Sequence, residues 1–287
     1  MLILGCGYTG LRLAKRRMAA HQDVLGVVSS AATAERVAAA NVPCRQINFD
    51  AAPTAALQAN GPAVYLIPPP RSGDADPRLN AALNVLHTTR LIYISTTGVY
   101  GNRDGKRVSE NDTPNPESAR AVRRLAAETS ARQWCEARNI PWIILRVPGI
   151  YGPDRLQLAS VKARRPMLEP SAAGPGNRIH VDDLVRCIDA ALTTPNTGRI
   201  YNVGDGHSMT NTEFVAEVAR QTGAEPPPTT DIETMRANAT PQAWSFMRES
   251  RVVDTTRMRE ELGVVPRYLK PADGIAASLI EMGNAGP

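Results

Sequence analysis

The sequence predicts an α/β protein, a doubly wound parallel sheet followed by a smaller, mostly helical region. Three observations carry that expectation. Short and almost wholly apolar runs alternate with Ala/Leu/Arg-rich stretches of helical length through the first half of the chain. A Gly-x-Gly-x-x-Gly turn follows the first of these runs directly. After about residue 153, prolines break the alternation and helical patterns separated by long loops take over.

The apolar runs are Leu2-Ile3-Leu4, Val24 to Val28, Ala63 to Ile67, Leu91 to Ile94 and Trp142 to Leu145. They are rich in β-branched residues, as strands buried on both faces require. Helical stretches are expected at 9–20, 33–40, 76–88 and 117–138. The last carries Val122, Leu125, Ala126 and Thr129 at the three-to-four spacing of one helix face. Strand and helix in strict alternation imply a parallel sheet covered on both sides. Beyond it, Pro166, Pro170, Pro175 and Pro226-Pro227-Pro228 separate helices expected near 182–193, 211–222, 255–262 and 271–282. The division expected is 1–153 for the sheet domain and 154–287 for the smaller region, with roughly 178–205 packing back on the first.

The chain has 287 residues, 43% of them hydrophobic and 21% charged, enough apolar material for a core and too much for a disordered chain. Its formal charge is +5, and of 33 basic residues only Lys15, Lys106, Lys162 and Lys270 are lysines, leaving 29 arginines. The arginines are scattered and aromatics make up 5%, so no basic run alternates with stacking rings as nucleic-acid binding would want. Cys6, Cys44, Cys135 and Cys187 form no C-x-x-C pair and no zinc-type spacing, so no metal is expected. They read as reduced thiols of a cytoplasmic protein. Lys15, Arg16 and Arg17 follow the apolar start instead of preceding it, the wrong order for a signal peptide. No apolar stretch approaches the ~20 residues of a membrane span, so no membrane partner is expected.

The turn Gly5-Cys6-Gly7-Tyr8-Thr9-Gly10 sits between the first strand and the first helix. There Gly5 would make the tight turn, Gly7 would admit a pyrophosphate to the backbone, and Gly10 would let helix pack on strand. The N–H groups at the helix start would bind the anion. The acidic residue expected some twenty positions on, to hold a ribose 2′-hydroxyl, is missing. Ser29 and Ser30 stand at the end of the second strand, with Arg12 and Arg36 as added charge. This favours NADP, with NAD left open. Asp50, ending a third strand, could accept from the adenine amino group or be an ordinary loop aspartate. Ile67 and Pro68, opening the Pro-rich loop that runs to Arg71, are expected to border the cofactor.

Four segments carry a resemblance: Ser95 to Gly101 (STTGVYG), Arg146 to Pro153 (RVPGIYGP), Arg178 to Leu184 (RIHVDDL) and Ile200 to Asp205 (IYNVGD). In order and spacing the chain resembles the extended short-chain dehydrogenase/reductase family, the NAD-dependent epimerases and dehydratases that act on nucleotide sugars. The resemblance implies a Rossmann sheet with a small C-terminal substrate domain, a nicotinamide cofactor, and oxidoreductase or epimerase chemistry on a small molecule such as a nucleotide sugar. It also implies a homodimer paired through the long helix. Pro148 would join the cofactor contacts, and Arg178 and His180 would lie on the substrate side.

The sequence departs from that family twice. Leu4 stands where the first glycine of Gly-x-x-Gly-x-x-Gly would be, as in the atypical branch. More consequentially, the family's Tyr-x-x-x-Lys pair is missing. Alignment on Ala126-Ala127-Glu128 puts Arg120 at the tyrosine position and Arg124 at the lysine position. The seven tyrosines have Arg12, Pro69, Thr97, Asp104, Arg155, Asp205 and Ala272 four residues on, so no register restores the pair. Arginine stays protonated near neutrality and cannot replace the phenol as a base. Arg124 could hold the nicotinamide ribose, Arg120 could clamp an anionic substrate, and Thr96 matches the family's Ser/Thr beside the reacting oxygen. Tyr100, Tyr151 and His180 are the remaining proton-transfer candidates by region alone. Two functions follow: an oxidoreductase with a rebuilt acid/base, or a non-catalytic NAD(P)-binding redox sensor or regulator.

Overall fold

The structure, a computed structural model, describes residues 1–284 apart from 52, 54 and 60. Seven strands form one parallel sheet: β1 (Leu2–Leu4), β2 (Leu25–Val28), β3 (Cys44–Gln46), β4 (Ala63–Tyr65), β5 (Leu91–Thr96), β6 (Trp142–Val147) and β7 (Arg199–Asn202). Their spatial order is β7-β6-β5-β4-β1-β2-β3, with every neighbouring pair parallel. The order reverses between β1 and β4, the switch point at which open α/β sheets bind ligands beyond their carboxyl ends.

Alternation along the strands splits the core in two. Ile3, Val64, Ile92 and Ile143 face one layer, where they pack with Leu13 and Ala14 of α1 (Tyr8–Ala19). Leu184, Val185 and Ile188 of α5 (Val181–Thr193) complete that layer. Leu2, Leu4, Tyr65, Leu91 and Tyr93 face the other, against α3 (Pro77–Val85) and α4 (Ala119–Glu136). Between β2 and β3 lies α2 (Ala31–Ala39), which begins where the Ser30 hydroxyl accepts from the Thr33 N–H at 3.3 Å. Asp76 caps α3 in the same way at 3.1 Å. Such caps satisfy backbone donors that the first helical turn leaves open.

The strand runs expected from hydropathy are all present within a residue or two, except that β3 has no apolar run. It is a short edge strand, half-buried at Cys44 and exposed at Arg45 and Gln46. Beyond β6 the chain forms α6 (Asn211–Gln221), α7 (Pro241–Met247) and α8 (Pro271–Asn284) along with shorter helical turns. Phe214, Val215 and Val218 of α6 pack with Ile275 of α8 around Tyr151, a third apolar cluster. Two short parallel pairs tie this region to the sheet, Gly149–Tyr151 with Arg178–His180 and Arg107–Val108 with Val252–Val253.

Candidate dinucleotide site

A cavity of about 580 Å³ opens at the carboxyl ends of the strands, centred on the switch point. The turn after β1 forms its floor. Gly5 adopts φ +89°, and the Gly5 and Cys6 N–H groups both donate to the Val27 carbonyl, at 2.9 and 3.0 Å. A Cβ on Gly10 would stand 2.8 Å from the Gly5 carbonyl oxygen, so only glycine lets α1 approach the turn this closely. A Cβ on Gly7 would meet nothing within 4 Å, so the space over this residue is open. Gly7 also offers no side chain to cap α1. The first N–H groups of the helix are therefore left for a ligand, with the positive end of the helix dipole behind them.

Gly5, Cys6, Gly7, Tyr8, Thr9 and Gly10 all line this cavity. The Cys6 side chain is fully buried, and burial pushes its thiol up to about 11, so it packs and does not react. Tyr8 donates its hydroxyl to the Pro153 carbonyl at 2.7 Å, and the Arg155 guanidinium lies 4.0 Å from its ring centroid. Burial raises the Tyr8 phenol to about 12, which leaves it protonated and fixed in place.

At one end the cavity is bounded by Ser29, Thr33, Arg36 and Asp50. Ser30 is not on the wall; its hydroxyl turns to α2, accepting from the Thr33 N–H and donating to Thr33 Oγ1 at 3.0 Å. Asp50 lines the cavity, but both its carboxylate oxygens accept from Arg78, at 2.7 Å from Nε and 2.9 Å from Nη2. That pairing lowers the Asp50 pKa and brings Arg78, also on the wall, against it.

The other end is formed by Ile67, Pro68, Thr96, Arg124, Pro148 and Arg155. Thr96 sits at the end of β5, where its hydroxyl accepts from the Gly98 N–H at 3.2 Å and caps the helical turn Thr97–Tyr100. Arg124 donates from one nitrogen to the Tyr93 hydroxyl at 3.3 Å and the Ile94 carbonyl at 3.0 Å, which holds its guanidinium against the wall. Tyr93 is buried, and burial raises its phenol to about 12 even though Arg124 acts in the opposite direction.

Three expected site residues stand elsewhere. Arg120 does not line the cavity: it donates to the Ser245 hydroxyl at 2.6 Å and stacks on Phe246 with 3.3 Å from its central carbon to the ring centroid. Arg178 donates to the Met209 carbonyl and to Asn211 Oδ1, at 2.6 and 3.0 Å, and lies over the Phe214 ring. His180 is 1% exposed. Its Nδ1 accepts from the Asp182 N–H at 3.2 Å, so its Nε2 donates to Ser278, 3.1 Å away. Burial holds its pKa below the usual imidazole value. Arg178 and His180 thus bind the 178–180 strand to α6 and α8. Tyr100 is buried with its hydroxyl on Asn202, and Tyr151 is buried edge-on to His180 and Phe214. None of the three proton-transfer candidates lines the cavity. Among the described residues no cluster of three His, Cys, Asp or Glu could hold a metal ion. No helix there is long and apolar enough to cross a membrane.

Sequence reasoning missed Thr33 and Arg78.

Residues 76–204 match the family model described as "NAD dependent epimerase/dehydratase family". Among curated relatives, a dTDP-glucose 4,6-dehydratase of Streptomyces griseus is 26% identical over 196 residues, 66% of this chain. That match spans 57% of the relative, so the chain aligns with little more than half its length. Among solved structures, a conserved protein of unknown function from Silicibacter pomeroyi superposes with a TM-score of 0.83 at 27% identity, covering 98% of each chain. The UDP-glucuronic acid 4-epimerase of Bacillus cereus, solved in complex with NAD, gives a TM-score of 0.75 at 18% identity over 100% of this chain and 99% of its own, a likeness of fold. The family match thus covers residues 76–204, set in a fold that the chain shares along its whole length with the UDP-glucuronic acid 4-epimerase of Bacillus cereus.

Proposed function

We propose that the chain binds a nicotinamide dinucleotide in this cavity, NADP in preference to NAD, and serves as an oxidoreductase of the epimerase/dehydratase kind with a rebuilt proton-transfer site. The observation that carries the reading is the open space over Gly7, at the uncapped start of α1 and in the middle of the cavity. It is the place where a pyrophosphate would meet the free N–H groups of the helix. In this reading residues 1–153 hold the cofactor and 154–287 supply the substrate side, a small molecule of the nucleotide-sugar class.

The cofactor, when bound, supplies a hydride acceptor or donor. Arg124 would hold the ribose next to it, its guanidinium kept in place by Tyr93 and Ile94. Thr96 would hydrogen-bond the substrate oxygen. Ser29, Thr33 and Arg36, which line one end of the cavity, would surround the adenosine ribose and offer hydroxyls and a cation to a 2′-phosphate, with no carboxylate on β2 to repel it. The Asp50–Arg78 pair would border the adenine.

Among the described residues the phenol on the cavity wall is Tyr8, raised by burial and already donating to the Pro153 carbonyl, while Tyr100 and Tyr151 lie off the cavity and the Tyr93 hydroxyl is buried behind Arg124. That observation favours a second reading, in which the protein binds the dinucleotide and reports its redox state without turning over a substrate.

Calorimetric titration with NADPH, NADP⁺, NADH and NAD⁺ tests the shared claim, followed by a panel of nucleotide sugars monitored by nicotinamide absorbance. The oxidoreductase reading expects tight NADPH binding and absorbance change with at least one sugar. Binding with no turnover across the panel would select the sensor. Absence of binding by all four dinucleotides would remove both. Arg36→Ala should lower affinity for NADPH and leave that for NADH unchanged; an equal loss for both would refute the 2′-phosphate assignment.

A further inference from the structure

One helical turn before Arg124 on α4 stands Arg120, the residue that replaces the family's tyrosine. Residues four apart share a helix face, so Arg120 extends the row of which Arg124 is the cavity end. Its partners come from α7 and the segment after it. Beyond Ser245 and Phe246, its Nη2 lies 3.5 Å from Glu249 Oε1. The second oxygen of the same carboxylate, Oε2, takes Nη1 and Nη2 of Arg251 at 3.3 and 3.2 Å. One carboxylate therefore bridges two guanidinium groups.

The arrangement is buried and unbalanced. The Glu249 side chain is 3% exposed and that of Arg251 11%. Two positive charges share one negative charge, and Arg251 Nε is buried with no hydrogen-bond partner. Burial lowers the pKa of both arginines, the mark of cations short of counter-charge. The backbone after Glu249 and the Arg251 side chain are held independently of that carboxylate. The Ser250 N–H donates to Asn102 Oδ1 at 2.9 Å, the Ser250 carbonyl accepts from the Arg103 N–H at 2.9 Å, and Arg251 Nη1 donates to the Gly101 carbonyl at 2.6 Å. Glu249 could swing out about its own side-chain bonds while Arg251 stayed in place.

We propose that Arg120 and Arg251 form a binding site for a substrate carboxylate, which Glu249 fills in the free protein. The inference rests on the cavity beside Arg124 being the cofactor site; the pair lies off the cavity wall, with Arg120 one turn of α4 from Arg124. Planar guanidinium groups match a carboxylate at two points each, and exchanging one carboxylate for another conserves the buried charge. A substrate bearing an acid group would thereby release Glu249 to solvent, and a neutral sugar would have no means to displace it. A phosphoryl group shares the same anionic chemistry, and the choice of probes separates the two.

The test is calorimetry with glucuronate, glucose and inorganic phosphate on the full chain, with and without NADPH, for the wild type, Glu249→Gln and Glu249→Asp. Removing the internal competitor in Glu249→Gln should tighten glucuronate binding by roughly tenfold or more, the equivalent of one charged hydrogen-bonded contact. Glu249→Asp, which keeps the charge on a shorter arm, should fall between. Adding Arg251→Gln or Arg120→Gln to Glu249→Gln should abolish the gain, and glucose should not bind. Glucuronate bound no more tightly by Glu249→Gln than by the wild type would overturn the proposal, as would phosphate binding without glucuronate binding. Failure of NADPH to bind beside a normal glucuronate response would uphold the carboxylate site while removing the dinucleotide reading.

Discussion

Arg146 and Glu128 form a two-point ion pair across the interface of β6 and α4, Nε to Oε1 at 3.1 Å and Nη2 to Oε2 at 2.8 Å. The side chains are 3% and 4% exposed. Ser95, on the adjacent strand, donates its hydroxyl to the same carboxylate, and the Arg146 guanidinium lies under the Tyr100 ring. Arg146 opens one of the segments that resemble the dehydrogenase family, and Glu128 is the acid on which the helix was aligned. Both turn out to be structural. They lock the strand that leads into Pro148 to the helix that carries Arg124, and so fix the spacing of the cavity wall at these two residues.

Removing one member should be costly, because the other would remain buried and unpaired. Glu128→Ala is expected to lose about 3–5 kcal/mol of stability in urea unfolding. Replacing both by apolar residues, Glu128→Leu with Arg146→Met, should recover most of that loss, since no unpaired charge is left behind. A double variant as unstable as the single one would show that the pair does more than neutralise itself.

Arg124 tests the reacting end. If it holds the cofactor's ribose, Arg124→Ala should weaken NADPH binding by about 1–3 kcal/mol. Tyr93→Phe removes the hydroxyl that accepts from Arg124 but leaves the Ile94 carbonyl, so its loss should be smaller, about 0.5–1.5 kcal/mol. Calorimetric titration of the two variants checks the order. Unchanged affinity in Arg124→Ala would mean that α4 does not touch the dinucleotide.

What was legible in the sequence was local. The turn Gly5 to Gly10 could be read because its geometry is imposed within six residues, by a backbone that bends at φ +89° and a helix that starts at once. The strands could be read because burial on both faces demands apolar side chains, and β3 escaped as a run because an edge strand does not. Side chains whose partners lie far along the chain were misplaced. Arg120 meets a serine 125 residues later, and nothing near position 120 announces it. His180 is satisfied by Ser278, 98 residues away. Ser30 lies off the wall for a different reason: its hydroxyl is engaged locally, accepting from the Thr33 N–H and donating to Thr33 Oγ1 at the start of α2. The family's residue types were recognised, but whether each faced the cavity depended on tertiary packing.

The two glycines of the turn should separate folding from binding. Gly10→Ala drives a methyl to 2.8 Å from the Gly5 carbonyl, held in the turn after β1, and 3.0 Å from the Ile3 side chain of β1. It should lower stability by about 1–3 kcal/mol, the usual range for overpacking, and weaken NADPH binding as a consequence. Gly7→Ala adds its methyl to open space, where it meets no protein atom within 4 Å. It should leave the protein folded but obstruct the pyrophosphate. Thermal melts and NADPH titrations of both variants distinguish the effects; normal binding by Gly7→Ala would place the dinucleotide elsewhere.

Asp205 gives the fold a pH dependence opposite to that of most aspartates. It is 4% exposed, and burial raises its pKa to about 7 from an ordinary value of 3.8, outweighing the His207 N–H that donates to it and the nearby Arg178. Its Oδ2 has no hydrogen-bond partner. Between those two pKa values the folded protein holds a proton that the unfolded chain has released, so folding takes up protons and stability falls as pH rises. The slope from this group should reach at most about 1.4 kcal/mol per pH unit and level off above its folded pKa. Asp205→Asn removes the ionisation, so urea unfolding across acidic to neutral pH should show the variant losing less stability than the wild type as pH rises. Parallel curves for the two proteins would mean that Asp205 stays ionised in the fold, stabilised by Arg178 more strongly than its burial opposes it.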